Sequence, residues 1–334
     1  MIKKIITSFL AIFLLTIGIS EATNWDKNAH RIKKIEYNSY NAETYNDVLT
    51  GKYKSSKKVN LYGDLYLPSK DGKYPIVFVQ HGSGGIKKKN LGKWYKSLVP
   101  ELIKNGFGVF INDSYGGRKM GDTGKDQSKL SGTARVLDAL LALEKISDHP
   151  NVDSSKIGIT GYSFGGFVTH MVANKNLIEA LNLDNTFSSH LAVYPTCQAS
   201  FKKINLTGKP MLFLLGEKDN WTPAKFCIDY VEKMKKQGIN AKYILFKDAY
   251  HGFTTAGKRT CSDCWKLTKC GEGYINSDGF YVWAGKEHKG TWKSMTKYLG
   301  KKCSSRGVKL GGSKKVRNQT LQDTISFFKE TLGS

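Results

Sequence analysis

Ser163 lies in the stretch Gly161-Tyr162-Ser163-Phe164-Gly165, directly after the apolar run 156–160 and before a segment with helical character at 164–175. A serine held at a sharp strand-to-helix turn projects its hydroxyl above the sheet edge, and small residues on either side relieve the crowding. Two other glycine-rich sites fit less well. A phosphate loop places lysine and then serine or threonine after its last glycine, whereas Phe167 follows Gly166 here. The G-x-G-x-x-G spacing of a dinucleotide site is absent. The chemistry indicated is nucleophilic attack by Ser163.

A serine nucleophile needs a base, and the base needs a carboxylate to orient it. Downstream histidines are His170, His190, His251 and His288. His170 falls in the segment after the turn, His190 at the start of an apparent strand, and His288 in an irregular region. His251, in Lys-Asp-Ala-Tyr-His-Gly-Phe, follows the apolar run 241–246 and is expected in a loop at the sheet's carboxyl edge. Asp219 is the expected acid: it sits deep in the loop after the run 210–216 and before a helix starting near Pro223. Glu217 is the runner-up, and Asp248 is too close to His251 in the chain to orient its ring. Developing negative charge needs preorganised donors. The expected oxyanion hole is the N–H of Phe164 together with the main chain of Ser83, in the glycine-rich loop 78–85, with Gly84 as the alternative.

These residues must be positioned by a scaffold, and the hydropathy pattern supplies one. Runs at 75–80, 108–113, 156–160, 190–195, 210–216 and 241–246 are mostly continuously apolar, as strands buried on both faces are. Between them Trp94, Leu98 and Leu102, then Val136, Leu140 and Leu143, then residues 223–234 recur at helical spacing. Such alternation builds an α/β fold with a mostly parallel sheet covered on both faces. The segment 59–68 alternates apolar and polar residues and reads as an antiparallel strand leading in. Leu321, Ile325, Phe328 and Leu332 mark a closing amphipathic helix. From 254 to 317 no period holds, and the segment reads as an irregular, disulfide-pinned insertion beside the pocket rim rather than a separate domain.

At the N-terminus two lysines precede an apolar run from Ile5 to Ile19, with small residues at Ser20 and Ala22. This is the layout of a signal peptide at 1–22, cleaved after Ser20 or Ala22, leaving a single domain at 23–334. The run is shorter than the roughly 20 residues of a membrane span, which disfavours a permanent anchor. A secreted or periplasmic location is therefore expected. All six cysteines lie after this leader: Cys197, Cys227, Cys261, Cys264, Cys270 and Cys303. An even number in an exported chain points to disulfides, although spacing alone does not choose the pairing. A zinc site on Cys261-x-x-Cys264 lacks a second close pair. The net charge of +24 comes mostly from scattered lysines. Without a basic arm or an interleaved aromatic motif it reads as a solvated surface, not a nucleic-acid site. The lysines 87–89, after the oxyanion loop, read likewise.

In sequence order, "LYLP", "HGSGG", "INDSYGGR", "VDSSKIGITGYSFGG", "VYPTC", "LLGEKDNWTPAKFC" and "YHGF" span residues 59–253. This set resembles the α/β-hydrolase superfamily, and within it the dienelactone hydrolase-like family. The resemblance implies an α/β-hydrolase fold, a Ser163–Asp219–His251 triad and hydrolysis of an ester, lactone or similar acyl bond, with no metal or organic cofactor. The family's dienelactone hydrolases carry cysteine where Ser163 stands, and are shorter and cytoplasmic. The alternatives are a peptidase of prolyl-peptidase type and a non-catalytic envelope-binding protein on the same scaffold. Cys197 and Cys227, near the carboxyl ends of neighbouring strands, are expected to pair beside the site.

Overall fold

The structure is a computed structural model that describes residues 24–86 and 89–333. The expected leader at 1–22 and Lys87 and Lys88 lie outside the described residues. The chain begins with β1 (His30–Tyr40), the short α1 (Tyr45–Leu49), β2 (Lys58–Leu67), β3 (Tyr74–Gln80), α2 (Lys89–Lys104) and β4 (Gly108–Asp113). It continues with α3 (Gly132–Ser147), β5 (Val152–Tyr162), α4 (Phe164–Met171), α5 (Lys175–Leu181), β6 (Ser189–Val193), the short β7 (Ala199–Phe201), β8 (Met211–Gly216), α6 (Ala224–Lys235) and β9 (Ala241–Phe246).

Eight of these strands form one sheet in the order β1-β2-β4-β3-β5-β6-β8-β9. From β4 to β9 every neighbouring pair is parallel, whereas β2 runs antiparallel to both β1 and β4. The apolar runs β4, β6 and β8 are buried at every position, and β2 alternates as expected for a strand nearer the sheet edge. β1 was not anticipated from the sequence: its lysines and half-buried positions give no clean apolar signal, and pairing with β2 creates it.

Within β3, Ile76 and Phe78 point to one face and Val77 and Val79 to the other, the two-residue period of a strand. The first pair packs with Val136, Leu140 and Leu143 of α3 and Val168 of α4. The second pair packs with Trp94, Leu98 and Leu102 of α2 and with Phe328 of the C-terminal helix. α3 starts at Ser131, whose Oγ accepts the Ala134 N–H at 2.9 Å and satisfies an orphan donor of the first turn. The chain leaves β3 toward β4 and returns across it to β5. The loops after β3 and β5 therefore face each other at a topological switch point, where open α/β sheets place ligands.

Residues 254–317 differ from the expected irregular insertion. They are ordered into short elements: β10 (His251–Ala256), β11 (Arg259–Lys266), β12 (Gly273–Ile275), β13 (Tyr281–Trp283), β14 (Lys286–His288), α7 (Trp292–Cys303) and β15 (Ser305–Gly312). One small sheet has the order β10-β15-β11; the other, β14-β13-β12-β7, is completed by the main chain's β7. Three-residue strands joined through the positive-φ glycines Gly279 and Gly285 are too short to show a period. α8 (Lys314–Leu332) closes the fold, capped by Ser313.

The disulfides are Cys197–Cys227, Cys261–Cys264 and Cys270–Cys303. The first is the expected pair. Cys270–Cys303 ties the end of α7 to the turn before β12, 33 residues away in sequence. By loop-closure entropy, removing it with a Cys270→Ala/Cys303→Ala double variant is expected to cost about 2–4 kcal/mol. Equilibrium denaturation measures this, and a loss below about 0.5 kcal/mol would show that the tie constrains little in the unfolded chain. Among the described residues, no helix is long and apolar enough to cross a membrane.

Candidate functional site

Ser163 ends the turn between β5 and α4 with φ 57° and ψ −117°, a backbone conformation that non-glycine residues rarely adopt. Its neighbours explain how the turn closes. A Cβ on Gly161 would stand 2.1 Å from the Gly165 carbonyl oxygen, and one on Gly165 would stand 2.2 Å from that of Gln80. Only glycine fits either position. The Ser163 N–H donates to the Val193 carbonyl of β6 at 2.9 Å, so the strained residue is pinned to the neighbouring strand.

His251 is the first residue of β10, not a loop residue as expected, and its strand pairing with β15 fixes the backbone that carries the ring. His251 Nε2 lies 2.8 Å from Ser163 Oγ, and Nδ1 lies 2.8 Å from Asp219 Oδ2. Both partners are largely buried, His251 at 3 % exposure and Asp219 at 5 %. Asp219 Oδ1 accepts the N–H groups of Trp221 and Thr222 at 2.8 and 2.9 Å, which locks the carboxylate in a tight turn after β8. The Thr222 hydroxyl lies 2.9 Å from Asp219 Oδ2 and 3.0 Å from His251 Nδ1. The Trp221 and Tyr194 rings flank the imidazole, with centroids at 4.9 and 5.1 Å. With Nδ1–H donating to the carboxylate, Nε2 is left as an acceptor aimed at the serine hydroxyl, the tautomer that proton abstraction requires.

Ser163 provides no side-chain cap for α4, so the Phe164 N–H begins the helix without an intrahelical partner. Across from it runs the loop after β3. A Cβ on Gly82 would meet Ser163 Cβ at 3.4 Å and the Tyr162 carbonyl at 2.8 Å, which places this loop against the serine turn. Its shape is held from behind. The Ser83 carbonyl accepts the Thr123 N–H at 2.8 Å, and the Gly85 N–H donates to the Gly82 carbonyl at 3.2 Å. His81 Nδ1–H donates to the Gly82 carbonyl at 2.7 Å, while Nε2 accepts the Ser114 N–H at 3.2 Å. Burial, with the Arg135 guanidinium beside it, pushes the His81 pKa well below its ordinary value, so the ring is a neutral brace. Arg135 is fully buried, donates to the His81 carbonyl and stacks over the Phe164 ring at 4.7 Å. His81, Arg135 and Thr222 were not singled out in the sequence. Nothing in their local spacing marks them, because they act on the site across 54 and 29 residues of chain.

A pocket of about 100 Å³ opens beside Ser163. Phe164, Phe167 and Trp221 line it, together with Trp265, Trp283 and Trp292 of the 254–317 segment. Thr196 and Gln198, flanking Cys197, also line it, so the Cys197–Cys227 disulfide stands beside the site.

The rejected candidates lie elsewhere. Glu217 is exposed and accepts the Asp248 N–H at 3.2 Å, and Asp248 pairs with Lys218 on the surface. The sulfurs of Cys261, Cys264, Cys270 and Cys303, which the zinc alternative required, are joined as disulfides. His288 Nε2 donates to the Trp283 carbonyl at 3.2 Å. His170 and His190 are core residues packed around α4. Each donates one ring N–H to a backbone carbonyl, of Thr196 and Thr169 respectively, and each leaves its other ring nitrogen without a partner.

Burial lowers the pKa of His170 and of His190 to about 4. Because the folded pKa lies below the unfolded value, the unfolded chain binds more protons between these two pH values. The associated stability is complete above about pH 6.5 and is lost as pH falls toward 4. Each histidine is expected to cost on the order of 3 kcal/mol across that window. Thermal melts at pH 7 and pH 4.5 measure the loss, and a melting temperature unchanged between them would contradict the neutral assignment.

Residues 61–301 match the dienelactone hydrolase family. The chain is 26 % identical over 214 residues to acylamino-acid-releasing enzyme 1 of Oryza sativa subsp. japonica, covering 53 % of this chain and 27 % of that protein. It is 24 % identical over 210 residues to a putative carboxymethylenebutenolidase of Aquifex aeolicus, covering 58 % of this chain and 85 % of that one. The chain thus spans well under half the length of some curated relatives it matches. Among solved structures, a dienelactone hydrolase-like promiscuous phosphotriesterase from metagenomic libraries shares the fold, with TM-score 0.53 and 13 % identity over 92 % of this chain and all of that one. The family match covers most of the chain, including both the serine turn and the His251 strand, and the chain belongs to the dienelactone hydrolase family.

Proposed function

We propose that this chain hydrolyses a carboxylic ester or lactone through an acyl-enzyme. His251 Nε2 takes the hydroxyl proton as Ser163 Oγ attacks the carbonyl carbon. Asp219 holds the ring and stabilises the imidazolium, and the N–H groups of Phe164 and Ser83 receive the oxyanion. His251 then gives the proton to the leaving alkoxide, and water releases the acyl group by the same steps in reverse order. The observation that carries this reading is the continuous chain of 2.8 Å contacts from Asp219 through His251 to Ser163, on a serine turn only glycines can close.

The test is hydrolysis of p-nitrophenyl esters beside peptide anilides, with fluorophosphonate labelling of the purified protein. Ester turnover with stoichiometric labelling is expected. Failure to label would end the proposal, and anilide cleavage without ester cleavage would favour a peptidase. We further propose that the mature protein is exported, because three disulfides suit an oxidising compartment. N-terminal sequencing of the protein recovered outside the cytoplasm tests the expected cleavage after Ser20 or Ala22.

A further inference from the structure

We propose that the substrate is an ester bearing a neutral, planar aromatic group, held against indole rings supplied largely by the 254–317 segment. This rests on the ester-hydrolase reading above and specifies its substrate. Four of the chain's six tryptophans, Trp221, Trp265, Trp283 and Trp292, line the pocket that opens on Ser163. Their arrangement distinguishes a binding slot from ordinary core. Trp292 Nε1 donates to the Gln127 carbonyl at 2.7 Å, and Trp283 Nε1 donates to the Gly271 carbonyl at 3.0 Å. With the polar handles consumed by the protein, these two indoles offer a ligand only apolar ring surface.

Trp292 is stacked on Phe164, at 19° between planes and 6.2 Å between centroids, so the slot continues directly from the residue that follows the nucleophile. Tyr281 meets Trp292 edge-on at 5.9 Å and fixes its tilt. The slot is also held in place covalently, because Cys270–Cys303 ties the far end of α7, whose first residue is Trp292, to the turn three residues after Leu267. A preordered slot spends little binding free energy on being assembled.

Size and charge narrow the ligand. The pocket's volume of about 100 Å³ is on the scale of an apolar cavity of about 150 Å³ that takes one benzene ring, so one aromatic ring fills it. Lys266 is the charged side chain in the lining, with its Nζ donating to the Gly307 carbonyl at 2.7 Å, and no carboxylate of the described residues joins it. A ring carrying an ammonium group would find no counter-charge there.

The experiment compares methyl 3-phenylpropanoate with methyl 3-cyclohexylpropanoate, which share one carbon skeleton. The saturated ring is the more hydrophobic but is puckered, so a merely greasy pocket favours it or is indifferent. Wild-type kcat/KM is expected to favour the phenyl ester by about tenfold, the scale of an aromatic pairing beyond area burial. Trp283→Leu and Trp292→Leu are expected to bring that ratio to about one. Because the readout is a ratio within one preparation, partial loss of folded protein leaves it unaffected. A wild-type ratio of one or less overturns the proposal, as does a ratio that both variants retain.

Calorimetric titration of Ser163→Ala protein with the same two esters separates binding from chemistry. Selective binding of the phenyl ester, with no turnover by the wild type, would sink the ester-hydrolase reading and leave the aromatic slot standing. Equal binding of the two esters would remove the slot.

Discussion

Replacing Ser163 with alanine is expected to lower kcat for ester hydrolysis about 10⁴-fold or more, and to abolish fluorophosphonate labelling. The removed oxygen is the atom that would form the bond to carbonyl carbon or phosphorus, and its hydroxyl meets His251 Nε2 at 2.8 Å. The substitution leaves the turn's other supports intact: the 2.9 Å bond from the residue 163 N–H to Val193, and the glycines at 161 and 165. A melting temperature within a few degrees of wild type is therefore expected. Residual activity should match the rate left by positioning and oxyanion donors alone. A variant that still labels stoichiometrically, or that retains a tenth of wild-type kcat, would show that another residue attacks.

The second large effect is expected at Asp219. In Asp219→Asn the amide oxygen can keep accepting the Trp221 and Thr222 N–H groups, so the turn is preserved. The amide nitrogen then faces His251 Nδ1, where the carboxylate oxygen stood at 2.8 Å. A donor facing Nδ1 selects the tautomer with its proton on Nε2, which points at Ser163 and blocks proton abstraction. A fall in kcat of about 10³–10⁴-fold with little change in KM follows. Glu217→Gln is the matched comparison: Glu217 is exposed and contacts the Asp248 backbone, so near-wild-type kinetics are expected. Equal losses in the two variants would mean that the acid has been misassigned.

Both experiments address residues that were legible in the chain before any coordinates. Strands such as β4 and β8 declare themselves because burial on both faces demands an unbroken apolar run. The serine turn declares itself because its backbone can close only with glycine at two fixed offsets, a constraint written in consecutive letters. His251 and Asp219 were found by position after particular strands, since the carboxyl ends of parallel strands lie along one edge. The strand setting of His251 is not visible in its local sequence, because the β15 strand that pairs with it arrives more than 50 residues later. β1 was missed for a related reason. Its lysine-rich alternation looks like a solvated loop until β2 pairs with it.

What the sequence determined on its own is therefore whatever local sterics and one-dimensional burial dictate: the parallel sheet, the serine turn, and the strand ends that carry a histidine and an aspartate. Only the tertiary structure decided the rest. It aimed the Asp219 carboxylate at His251 through one tight turn, and added Thr222 beside the pair. It set Arg135 and His81 behind the loop of Ser83, where a buried guanidinium and a neutral imidazole brace backbone that has no strand or helix to hold it. It also gathered Trp221, Trp265, Trp283 and Trp292 into one slot beside Ser163. No periodicity records that gathering, because Trp221 lies in the loop after β8 while Trp265, Trp283 and Trp292 sit on β11, β13 and α7, which meet only through strand pairing and packing distant in sequence.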